Sequence, residues 1–323
     1  MRMRWRHFLV LWGILGTATS VHAAEVIGVG NFSHIVSDLD RAVTFYSEVL
    51  ELENTVPPGE FSPNPAIMQL GDTPGAQSRI AVFAISGSEL GIELIEYRDI
   101  ARGHAQIRFQ DPGASVLQLR VHDMDSILTR LESSTGRIWT PSGDPVAFGE
   151  TSRIIFIQDP DGIFIELIED SSAASGEANV YGASFELIID STETNASFYR
   201  NGFGVDPDVS AEFDSSPDLN ANVATSGGAF RRSSITIPGT EVGMAFLEFK
   251  DIYRKPLATR VQDPGTALLQ LFVDDVPGMV ERLVDAGGTM ITTGGGPVDL
   301  GGGVLLAIVR DPNNLYLELL PRQ

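Results

Sequence analysis

Two glutamates recur at the same place in a repeated pattern. Asp159-Pro160-Asp161-Gly162 is turn chemistry, because proline presets one backbone dihedral and glycine tolerates a positive one. The run after it alternates and is rich in isoleucine and phenylalanine, which predicts a strand with Glu166 in its middle. The pattern returns as Asp311-Pro312-Asn313-Asn314, followed by a strand carrying Glu318. A carboxylate inside a strand costs stability unless it is paired, wetted or bound to something. Its chemistry is that of a hard oxygen ligand or a proton acceptor. Glu93, in Gly91-Ile92-Glu93-Leu94, is a third such group. His34, Gln118, Glu186 and Gln270 also lie in strand-like runs and have atoms able to ligate. Each has a plain structural alternative: His34 as a packed histidine, the glutamates as partners of an arginine or a tyrosine hydroxyl.

These residues need strands to carry them, and the chain supplies four similar sets. Residues 26–36 are apolar and end at Ser37-Asp38-Leu39-Asp40, which resembles a helix start with a capping box. Leu39, Ala42, Val43, Tyr46 and Leu50 then fall at helical spacing. Strand-like runs follow at Ala66–Leu70, Arg79–Ser86 and Leu90–Tyr97, so the unit reads β-α-β-β-β. A second unit runs from Ser115 to Ile168, with a helix over Met124–Leu131 and a closing hairpin. Residues 170–178 are small and polar and read as a linker. The pattern then starts again, with Gln262-Asp263-Pro264-Gly265 repeating Gln110-Asp111-Pro112-Gly113. The offset is 152 both for Asp111 to Asp263 and for Glu166 to Glu318. Two halves follow, residues 26–169 and 179–321, as expected of a tandem duplication.

Composition removes several function classes. The 323-residue chain carries a formal net charge of -21 and only two lysines, which excludes nucleic acid and anionic lipid as partners. No cysteine occurs, so thiolate nucleophiles, disulfides and cysteine zinc sites are out. The glycines at 294–296 and 301–303 lack the Gly-Lys-Ser/Thr of a phosphate loop, and no Gly-x-Ser-x-Gly elbow occurs. Arg2, Arg4 and Arg6, an apolar run over Phe8–Leu15 and Val21-His22-Ala23 match an export signal with cleavage after Ala23. A periplasmic protein with no membrane segment after processing is expected. Processing there takes the net charge from -21 to -24.

The pattern Ser37-Asp38-Leu39-Asp40-Arg41-Ala42-Val43-Thr44-Phe45-Tyr46, with Val49-Leu50-Glu51-Leu52 and the turn leading to Glu166, resembles the vicinal-oxygen-chelate superfamily. Ser197-Phe198-Tyr199, Gly202-Phe203-Gly204 and the turn leading to Glu318 play the same parts in the second half. The superfamily includes glyoxalase I, bleomycin-resistance proteins and extradiol dioxygenases. The resemblance covers about residues 26–321 and implies an α+β fold of two tandem domains. In each, two paired βαβββ units form a half-open cup, and a divalent metal often sits at its bottom. The implied metal set in the first domain is His34, Gln118 and Glu166, with Glu93 as a fourth ligand or general base. The first-strand ligand position falls on Asn31, so His34 joins only if a bulge turns it inward. The second domain offers a weaker copy, Glu186, Gln270 and Glu318.

For function the resemblance implies two classes. One is a lyase, isomerase or transferase acting on a small oxygenated substrate, using nickel, zinc, iron or manganese. The other is a metal-free binder of the bleomycin-resistance kind, taking an apolar or cationic small molecule, with Phe61, Trp139 and Phe148 near it. Either suits a monomer or a homodimer. Extradiol cleavage is disfavoured: its iron needs two histidines in the second domain, and none follows His122.

Overall fold

The computed structural model describes residues 23–104, 106–174, 176–215 and 222–322. Most of the export pattern therefore lies outside the described residues. Unit one holds β1 (Val26–Val36), β2 (Glu53–Val56), β3 (Gln77–Ala84) and β4 (Gly91–Arg98), with α1 (Leu39–Thr44) and α2 (Pro65–Leu70). Unit two holds β5 (Ser115–Val121), α3 (Met124–Leu131), β6 (Arg137–Ile138), β7 (Val146–Phe148), β8 (Ser152–Gln158) and β9 (Phe164–Asp170). Unit three holds β10 (Val180–Ile189), α4 (Thr192–Phe203), β11 (Asp208–Val209), β12 (Ala229–Thr236) and β13 (Gly243–Lys250). Unit four holds β14 (Ala267–Val273), α5 (Val276–Asp285), β15 (Thr289–Met290), β16 (Val298–Asp299), β17 (Leu305–Arg310) and β18 (Tyr316–Pro321).

The helix starts follow local chemistry. Asp38 accepts from Arg41 N, Asp123 from Ser126 N and Ser191 from Thr194 N, each satisfying an otherwise orphaned donor. Ala66–Leu70, expected as a strand, is α2 instead. Asn64 accepts from the Ala66 and Ile67 amides and Pro65 presets the first helical turn, which outweighs the apolar run.

Four units pair into two curved sheets, as expected, but unit one does not pair with unit two, nor unit three with unit four. One nine-stranded sheet runs β15-β17-β18-β14-β1-β4-β3-β2, with β16 off this path on β17, and joins unit one to unit four through the antiparallel β1–β14 pair. The other runs β11-β12-β13-β10-β5-β9-β8-β6 and joins units two and three through β5–β10. Each cup is thus shared between the two halves of the chain. A single apolar core binds both sheets to the helices, and the Phe32 and Phe185 rings meet across it at 5.2 Å. Smaller apolar clusters line each concave face. Among the described residues no helix is long and apolar enough to cross a membrane.

Candidate functional site

The exchange of partners regroups the expected ligands. His34, Gln118, Glu166 and Glu93 do not converge. Gln118 and Glu166 lie in the cup of units two and three, and Glu186 joins them there. Glu93, Gln270 and Glu318 lie in the cup of units one and four. His34 belongs to neither. It is fully buried under α1, where its Nε2 is 3.0 Å from Asp159 Oδ2 and 3.3 Å from the Tyr46 hydroxyl. Burial holds the His34 imidazole down to about 4 and pushes the Asp159 carboxyl up to about 7. The register of β1 does shift, between Val26 and Gly28 and again between Val29 and Phe32. The second shift turns both Gly30 and Asn31 toward Gln270, and plain alternation then leaves Ser33 facing the cup and His34 facing the core.

Parallel register identifies four matching positions on the floor of each cup. Ser33 lies opposite Glu93 and Gln270 opposite Glu318 in one; Gln118 lies opposite Glu166 and Glu186 opposite Ala245 in the other. Ser33, not His34, is therefore the counterpart of Glu186.

In the cup of units one and four, the Gln270 Nε2 donates to Glu93 Oε2 (2.9 Å) and to Glu318 Oε2 (3.0 Å). The Ser33 hydroxyl also donates to Glu93 Oε2 (2.8 Å). Burial and the neighbouring Glu318 charge push the Glu93 carboxyl up to about 7, against the Ser33 hydrogen bond. Burial raises Glu318 as well, opposed by Gln270. Two close, buried carboxyls resist being ionised together, and the Glu318 charge accordingly raises Glu93. Above them opens a cavity of about 390 Å3, walled by Val56, Ile67, Leu70, Ile95, Leu268 and Ile308. Glu60 and Arg79 stand on its lining, and Arg79 is held by Asp40 and Glu96. Phe61 does not line the cavity; its ring is clasped between the Arg79 and Arg98 guanidinium groups, fixing the loop over the cup.

Aromatic side chains gather in the second cup. Phe109, Phe156, Phe164, Phe230 and Phe249 cluster on its concave face with Trp139 against them. Gln118 Nε2 donates to Glu166 Oε2 (2.6 Å), and Arg232 donates to Glu186 Oε1 (3.2 Å). Burial and the Glu186 charge push Glu166 up to about 7, opposed by Gln118 and Arg232. Arg232 has no counterpart signal in the sequence that alternation alone would reveal. Ser33 does, since it shares parity with Asn31.

A divalent metal does not fit the first cup as folded. The Asn31 backbone N–H and side-chain amide both donate to Gln270 Oε1, at 3.1 and 2.8 Å. A backbone N–H can only donate, so it fixes the amide with Nε2, not Oε1, toward the carboxylates. The remaining donors are two carboxylates and a hydroxyl, without imidazole. Among the described residues, no three or more His, Asp or Glu gather in a way that could hold a metal.

A family model described as the Glyoxalase/Bleomycin resistance protein/Dioxygenase superfamily matches residues 28–167 and again 183–319. The lactoylglutathione lyase of Haemophilus influenzae is 30% identical over 145 residues, which is 45% of this chain and 93% of that protein. A probable lactoylglutathione lyase of Vibrio cholerae is 31% identical over 147 residues, 44% of this chain and 89% of its own. Glyoxalase I from Zea mays shares the fold at a TM-score of 0.60 and 16% identity, covering 93% of this chain and 92% of the other.

Proposed function

From the premise that the chain belongs to the Glyoxalase/Bleomycin resistance protein/Dioxygenase superfamily, we propose that the cup of units one and four binds a small neutral hydroxycarbonyl compound and shifts a proton between its neighbouring carbons. The observation that carries this is the Glu93–Glu318 pair, bridged by Gln270 at the floor of an open apolar cavity. The Glu318 charge adds to burial in raising Glu93, so Glu93 is the better home for a proton and Glu318 the better anion. Glu318 takes the proton from the hydroxyl-bearing carbon while Glu93 gives its proton to the carbonyl oxygen, forming an enediol. The reverse transfer to the other carbon completes an isomerisation with no net change in protons. A carboxyl poised near neutrality suits this role. Lactoylglutathione, the compound in the relatives' names, fits less well, because the anionic groups of glutathione would meet Glu60, Glu93 and Glu318.

A second reading, capture of a small apolar molecule without turnover, is favoured by the apolar walls of the cavity. Exchange into heavy water separates the two. With acetoin as probe, proton NMR should show loss of the carbon-bound proton beside the hydroxyl. Glu93→Gln and Glu318→Gln should slow this about 100-fold or more, and Glu166→Gln should not. Binding without exchange supports capture; exchange that survives both cup-one variants overturns the assignment.

We also read residues 1–23 as a removed export signal. Ala24 is buried against α5, and its carbonyl accepts from Arg282 (2.7 Å), which supports a folded body that begins there. N-terminal sequencing of periplasmic protein should begin at Ala24; a retained Met1 would refute it.

A further inference from the structure

A second depression, of about 480 Å3, is lined by Phe272, Leu300, Val304, Leu306, Leu320 and Pro321, with Arg322 at its edge. It occupies the same concave face as the first. Along β14 the inward residues run Leu268, Gln270, Phe272; along β18, Tyr316, Glu318, Leu320; along β17, Ile308 and Leu306. Same-face neighbours on a strand stand about 7 Å apart, so one step beyond Glu318 leads from one depression to the other. Leu268, Ile308, Leu306 and Tyr316 also belong to a single apolar cluster, with Val304 and Leu320 packed on it. Leu300 leaves 39% of its surface in water, and Phe272 and Leu320 are half-buried, so the second depression has apolar surface to cover.

The face is therefore a trough with apolar compartments on both sides of one polar band, Gln270 with the carboxyl pair. We infer that a single elongated ligand spans both compartments, its hydroxycarbonyl centre on the polar band and an alkyl arm on each side. This rests on the proposed function and narrows its substrate class to acyloins with two alkyl arms. Each additional buried methylene contributes about 0.8 kcal/mol, roughly fourfold in affinity, so arm length reads out compartment use.

The test compares acetoin with its longer homologue butyroin by calorimetry on the full mature chain. Butyroin is expected to bind about tenfold or more tightly. Leu320→Trp should fill the second compartment, and Leu300→Asp should place a charge at its exposed rim. Both should erase the butyroin advantage, read in each variant as the ratio of butyroin to acetoin affinity. Leu300 is on the surface, so that variant keeps the test valid if Leu320→Trp fails to fold. Equal binding of the two probes to the wild type, or an advantage that survives in the folded variants, overturns the inference alone. Acetoin exchange that persists in Glu93→Gln and Glu318→Gln overturns the function beneath it. Binding of neither probe overturns both.

Discussion

Glu93 shows how one side chain links site and stability. Its carboxyl is raised from 4.5 to about 7, chiefly by burial and then by Glu318. The native state thus holds a proton that the unfolded chain releases between these values. Stability from this group is full below 4.5 and is lost as pH rises to about 7. Glu93→Gln keeps the oxygen that Ser33 and Gln270 donate to and removes the charge. We predict that it raises stability by about 2 kcal/mol at pH 8 and changes little at pH 5, measured by urea unfolding. An equal effect at both values would contradict a raised Glu93. The carboxylates themselves were legible in the sequence, since turn and alternation mark them. Their grouping was not, and neither was the fixed amide of Gln270, which depends on a bulge in β1 that the residue types do not announce.

At the scale of elements, the repeat is less regular than its constant offset suggests. Tyr46 and Tyr199 both reach the turn aspartates, Asp159 and Asp311, and stand 153 residues apart. Phe61 and Phe213, each resting on two cations, stand 152 apart. Unit one therefore has an extra residue between them, and the helix there widens into a π turn over Phe45–Val49 where unit three keeps a plain α-helix. The offset of 152 consequently equates His34 with Glu186, whereas strand register equates Ser33 with it. His34 instead ties β1 to the helix and to the Asp159 turn. His34→Ala should cost about 3 kcal/mol through a cavity and two orphaned partners, while ligand affinity in the cup stays unchanged. A stable variant that had lost ligand binding would return His34 to the site.

At the scale of the molecule, four units and a duplication can be read from the sequence because turns, caps and strand patterns are local. Which units share a sheet cannot, because β1 and β5 both present edges that either neighbour could satisfy; only long-range packing chooses. The choice has a consequence for dissection. Residues 24–169 alone would leave β1 without β14 and β5 without β10. Open edges of this kind pair with other chains. We predict that this half made alone elutes as a dimer or aggregates, and that coexpression with residues 179–322 restores a soluble one-to-one complex. A stable monomeric half would contradict the pairing. Because each cup draws on both halves, duplication left two cups free to diverge. One carries aromatic rings and an Arg232–Glu186 pair; the other carries a cavity over two carboxyls.

That division of labour is most directly tested by crystallographic screening of small neutral fragments. Fragments should collect over the Glu93–Glu318 pair in the cup of units one and four, with their polar atoms on those carboxyls. Occupation of the cup of units two and three, with the carboxyl pair left bare, would contradict it.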